Sequence, residues 1–171
     1  MMGTVGYCWQ QKVLHWLSAL VILWTLVSGF SLALVAERQG WHEDVARANV
    51  ALATLYLPLF LLRCWYRLMQ PVPLATGTSA WRHRAAAWVH GGMYWVTAIV
   101  LLSGVLMMAR PIELFGWWSF GPLLQGSDWR HGWEQLHVAA NLVLIPLVGL
   151  HLVGVALRHW ERRPVLPRMW F

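Results

Sequence analysis

The stretch EQLHVAANLVLIPLVGLHLVGV, residues 134–155, sets His137 and His151 into an otherwise apolar run, with Asn141 the only other strongly polar side chain between them. An ionisable side chain is costly at membrane depth, so its presence there points to a function. At about 100° per residue, 14 residues of helix return almost to the starting angle. His137 and His151 therefore share one helix face, roughly 21 Å apart along the axis. Two chemistries suit such a pair. Each imidazole can hydrogen-bond across to a neighbouring helix, or each can serve as an axial ligand to haem iron, which needs a second side chain facing it across a plane. A haem b needs no covalent tether and can sit between the facing helices of a bundle. Spacing alone leaves both open.

Four segments are long enough to position these residues across a hydrocarbon core of about 30 Å, which takes on the order of 20 helical residues. They fall at 13–36, 45–66, 85–109 and 134–157. Pro58 and Pro146 lie inside the second and fourth, as membrane spans tolerate. The first segment is too long, and too poor in a small-residue cleavage site, to be a signal peptide alone. The link after the third, RPIELFGWWSFGPLLQGSDWRHGW, is broken by Gly and Pro and carries Trp117, Trp118, Phe120, Trp129 and Trp133, so it reads as an interfacial or re-entrant loop. The expected architecture is all-α: one integral membrane four-helix bundle over residues 1–171.

Composition agrees. The chain is 58% hydrophobic and 12% charged, where soluble domains carry roughly 25% charged residues. Cys8 and Cys64 form no CxxC or CxxCH pattern, which excludes a readable haem c attachment or zinc knuckle. A net charge of +6 could suggest nucleic acid, but the arginines cluster at the ends of the apolar segments, a pattern that lipid contact explains better. Lys12, Arg63, Arg67, Arg82, Arg84, Arg158, Arg162, Arg163 and Arg168 fall on the side of both termini, and Arg38, Arg47, Arg110 and Arg130 on the other. By the positive-inside rule both termini are cytoplasmic. Six of the seven acids, Glu37, Glu43, Asp44, Glu113, Asp128 and Glu134, then face outward.

This topology gives each histidine a depth. His15, early in the first span, His90, early in the third, and His151, late in the fourth, belong to the inner leaflet, and His137 to the outer. His42, His83, His131 and His159 lie in links or at span ends, where a solvated or interfacial histidine is the ordinary reading.

Four matching stretches lie in order on these spans: KVLHWLSALVI, LLRCWYRL with the prolines after it, HGGMYWVTAIVLLSGVLMM, and EQLHVAANLVLIPLVGLHLVGVALRHW. Together they resemble the prokaryotic cytochrome b561 family, which is related to the di-haem cytochrome b subunits of formate dehydrogenase and nickel–iron hydrogenase. The resemblance implies two b haems between helices and electron transfer to or from quinone. It assigns His15 and His151 to an inner haem, and His137 with a residue near the start of the second span to an outer one. Where the family has that last histidine, this sequence has Asn49, and an amide is a poor ligand for haem iron. Three arrangements follow for the outer site: no haem, with His137 hydrogen-bonded to Asn49; a five-coordinate haem on His137 alone; or His42 or His131 folding in as a substitute ligand.

The resemblance further implies a superoxide oxidase, passing electrons from superoxide outside through haem to ubiquinone. Arg38, Arg47, Arg110, Arg130 and His131 are the charges available to steer the anion, yet acids outnumber them in the outer links. The alternative is a haem-bearing carrier subunit that docks a basic periplasmic redox protein, and a haem-free structural bundle is a third reading. For quinone, the inner-side candidates are His90 with Arg84 or Arg158, and His159, since a histidine can supply protons near neutral pH. Replacing Asn49 with His should create a new low-spin haem signal in the optical spectrum; an unchanged spectrum would mean that the outer pocket has closed.

Overall fold

The computed structural model describes residues 7–34, 41–70, 79–109, 111–114, 118–122, 127–162 and 169–170. Of the residues read above, Glu37, Arg38, Arg110, Trp117, Arg163 and Arg168 lie outside these. Four helices make up the architecture: α1 (Trp9–Leu34), α2 (Trp41–Met69), α3 (Ala80–Leu106) and α4 (Ser127–Trp160). All four are long and apolar enough to cross a membrane, and the fold is the all-α membrane bundle expected.

Each helix begins before its apolar segment, and α2 and α4 also run past its end. Hydropathy marks only the residues that must sit in hydrocarbon, while the backbone gains hydrogen bonds by staying helical into the headgroup region. The largest difference is at α4, which begins at Ser127 inside the tryptophan-rich link. The rest of that link is not a plain loop. Residues Ile112–Leu114 (β1) and Trp118–Phe120 (β2) pair antiparallel, with Glu113 opposite Ser119, and β1 lies against α2. Local chemistry fits the helix ends. Glu43 and Asp44 open α2 and Arg67 closes it, each opposing the partial charge of its helix terminus. Arg162 ends α4 in a left-handed conformation, φ 55°.

Helix α1 packs on α2 and α3 on α4, with α2 and α3 joining the pairs. Polar contacts gather the ends nearest the termini. Gln11 Nε2 donates to the carbonyls of Tyr66 (3.4 Å) and Gln70 (3.1 Å) at the end of α2, Lys12 Nζ donates to the Trp170 carbonyl (2.6 Å), and Arg82 on α3 pairs with Glu161 after α4 (2.6 Å). Both termini thus lie at one end of the bundle.

Tyr56, Phe60 and Leu101 form a small buried core, with Val21, Ile22 and Ala98 packed against it. The other buried interior positions include Ser18, Ser28, Thr97 and Ser103. Each of the three serines returns its hydroxyl to a carbonyl of its own helix, four residues back. Small hydroxyl residues let helix backbones approach where lipid removes the usual hydrophobic drive. The large apolar side chains turn outward instead. Trp9, Trp65, Trp81 and Trp160 are exposed at the end of the termini, and Trp41 and Trp129 at the other, as aromatic belts at two membrane–water boundaries require.

Candidate functional site: two levels of histidine in the bundle

At the level nearer the termini, three helices bring their histidines together. The rings of His15 (α1) and His151 (α4) stand 6.3 Å apart, centre to centre, inclined at 65°. His90 (α3) lies against His151, with ring centres 5.1 Å apart and its Nε2 3.1 Å from His151 Nδ1. From α2, Arg63 reaches into the group. Its Nη2 donates to His15 Nδ1 (3.1 Å) and its Nε to the Tyr94 hydroxyl (3.1 Å). Arg67, one turn on, stacks over the Tyr94 ring at 4.7 Å.

The inner pair expected from the sequence, His15 and His151, is therefore brought together, edge toward face. Metal–imidazole bonds are about 2 Å long, so two axial imidazoles sharing one iron stand about 6 Å apart between centres, which is the separation found. Two further observations fit haem b. Among the described residues Arg63 has only neutral partners, and the single acidic side chain on this side of the sequence, Glu161, is taken by Arg82. The Tyr56 hydroxyl is buried beside Ser18 and Arg63 but makes no well-formed hydrogen bond to either, an arrangement that ordinarily needs an explanation. A ligand carrying carboxylates would supply what the guanidinium and the hydroxyl both lack. Among the described residues no three or more His, Cys, Asp or Glu side chains are arranged around a metal ion; the geometry is that of a pair.

At the other level the two halves are separated. His137 on α4 turns to α3, its Nδ1 3.0 Å from the Val100 carbonyl and 3.2 Å from Ser103 Oγ. A carbonyl only accepts, so Nδ1 carries the ring proton and Nε2 keeps its lone pair. Gly104 makes room for the ring, since a Cβ there would stand 3.2 Å from His137 Cε1. Asn49 on α2 turns to α1, where its Oδ1 accepts from Trp24 Nε1 (3.1 Å) and Ser28 Oγ (2.8 Å). The hydrogen bond between His137 and Asn49 is thus replaced by separate contacts, those of His137 to α3 and those of Asn49 to α1. Of the substitute ligands considered, His42 packs its ring edge against Trp41, and the exposed His131 bonds Gln135 (3.0 Å).

The remaining quinone candidates, Arg84, Arg158 and His159, stand at the ends of α3 and α4 nearest the termini, whereas His90 is drawn deeper, onto His151. Arg63, Arg67 and Tyr94 are site residues that sequence reasoning missed. Both arginines read as topology charges, although an arginine within LLRCWYRL, one turn from a second, marks a cation well inside a span.

The family described as prokaryotic cytochrome b561 matches residues 6–171. The chain belongs to that family. Cytochrome b561 homolog 2 of Escherichia coli (strain K12) is 24% identical over 109 residues, which cover 61% of this chain and 58% of that protein; the match thus spans less than two thirds of the relative. Membership in the cytochrome b561 family, with four helices able to span a membrane, marks a multi-pass membrane protein and implies haem b.

Interhelical hydrogen bonds in membranes average about 0.6 kcal/mol each. Replacing Asn49 with Leu takes the acceptor from Trp24 Nε1, while Ser28 keeps the Trp24 carbonyl, so it should cost about 0.6 kcal/mol. Thermal unfolding in detergent should show a lower midpoint, with Asn49→Asp closer to the parent protein because it keeps the acceptor.

Proposed function

We propose that the protein carries electrons between an outer donor and quinone through a haem b held by His15 and His151, in a bacterial inner membrane with both termini in the cytoplasm. The meeting of those two rings at 6.3 Å is the observation that carries the reading. Bound there, haem supplies a one-electron centre, and this chain's residues hold and tune it. Ligation through His15 Nε2 puts the ring proton on Nδ1, where two donors cannot face each other. Arg63 must then leave the ring, which makes its guanidinium the residue to hold a haem carboxylate. Quinone, on this reading, meets the bundle at its cytoplasmic edge, where Arg84, Arg158 and His159 offer hydrogen bonds to its carbonyls and a proton.

The upper level offers one imidazole, not two. His137 has the orientation of a metal-bound histidine, its second nitrogen donating to a carbonyl, but Asn49 presents no ligand to it. The proposal is one low-spin haem at the lower level and, where a second is bound, a high-spin haem on His137 alone. A pyridine haemochrome count with a dithionite-reduced minus air-oxidised spectrum should show no more than one low-spin haem per chain. Two low-spin haems would contradict it, and no b-type band would remove the function itself.

Two donors are in view. Superoxide oxidation, giving dioxygen and an electron destined for ubiquinone, needs a positive outer surface. Arg47 is instead paired with Asp44 (2.6 Å), and His131 Nδ1 lies 3.8 Å from Glu134. Acid-rich outer links favour the second reading, a carrier that docks a basic periplasmic redox protein by complementary charge. Stopped-flow reduction should separate the two. Docking predicts reduction by a basic cytochrome c that slows steeply as salt rises, whereas rapid reduction by superoxide, abolished by superoxide dismutase, would restore the oxidase.

A further inference from the structure

We propose that His90 is a positioning residue, which fixes the ring proton and the orientation of His151 and thereby sets the reduction potential of the haem that His151 ligates. The inference rests on the ligand role proposed above for His151. It starts from the two nitrogens 3.1 Å apart, His90 Nε2 and His151 Nδ1, which share one hydrogen. Either ring could supply it in isolation. A His151 that gives its Nε2 lone pair to iron must carry its proton on Nδ1, so His151 donates and His90 accepts. The proton of a neutral His90 is thereby confined to its own Nδ1.

The rings meet because α3 and α4 run closely packed along this stretch. Gly92, two residues beyond His90, lies where an added Cβ would stand 3.5 Å from both Leu147 methyls, so the helices are already in van der Waals reach. The ring planes cross at 56°, which lets an edge nitrogen of one ring address an edge nitrogen of the other without stacking. His15 has no such acceptor at its Nδ1, which faces the cation Arg63, a donor that ligation of His15 would turn away. The two candidate ligands therefore sit in unequal surroundings, one able to give its proton to a neutral acceptor and the other beside a positive charge.

A metal-bound histidine that donates its second N–H is more basic and is held in one orientation. A more basic ligand favours the oxidised, more positive iron and lowers its potential. His90 therefore has a signed effect that a space-filling ring would not have. The test is a redox titration of the full-length protein in detergent, followed at the haem α-band, with electron paramagnetic resonance of the oxidised forms. His90→Phe, which keeps the ring's bulk and removes the acceptor, should raise the midpoint potential and alter the low-spin signal. His90→Gln, whose amide oxygen can accept, should return both toward the parent values. Equal midpoints and signals in the parent and His90→Phe, at equal haem content, would overturn the positioning role. Loss of haem from both variants would overturn it too, by making His90 a ligand itself. A parent protein without haem, or a His151→Ala variant that keeps the parent's low-spin signal, would instead refute the ligand reading beneath it.

Discussion

Ionisable side chains inside a membrane bundle must find partners from other helices, because lipid supplies none. In this protein that requirement is met at one level by a single cluster. His15 from α1, Arg63 from α2, His90 and Tyr94 from α3 and His151 from α4 touch one another in sequence. Every span contributes, so the cluster fixes how the four helices face each other as well as what they can bind. The apolar core is small by comparison, three aromatic and aliphatic side chains with their neighbours, and most large hydrophobic groups look outward.

The two levels differ in how much they commit. Nearer the termini, two rings meet at the spacing of axial ligands, beside an arginine with no anion among the described residues. At the outer level, Asn49 ties α2 to α1 and His137 ties α4 to α3, so polar groups at similar depth act as staples within helix pairs. The proposed asymmetry between a low-spin and an open or empty haem site rests on those hydrogen bonds.

Much of this was legible in the residues. The four spans follow from hydropathy, because length in an apolar solvent is a strict constraint. The shared face of His137 and His151 follows from helical period, and the pairing of His15 with His151 from the family resemblance. Other features depend on the angle at which a helix presents a side chain to its neighbour, which one sequence does not specify. His90 could be placed in its leaflet but not on His151, and it was grouped with the cytoplasmic arginines instead. Arg63 looked like a topology charge because its position near a span end suits both roles. Trp24 and Ser28 carried no sign that they would take the Asn49 oxygen, since a tryptophan in a span suggests lipid and a serine suggests close packing. The start of α4 at Ser127 was hidden by Gly126 and Gly132, which loosen a sequence pattern without preventing a helix.

The central claim is that His15 and His151 ligate one haem iron. Low-temperature electron paramagnetic resonance of the oxidised protein addresses it directly, because bis-imidazole ligation leaves ferric haem low spin. The account predicts a low-spin signal in the parent protein that disappears in both His15→Ala and His151→Ala, replaced by a high-spin signal or by loss of haem. The same low-spin signal surviving in either variant would contradict it.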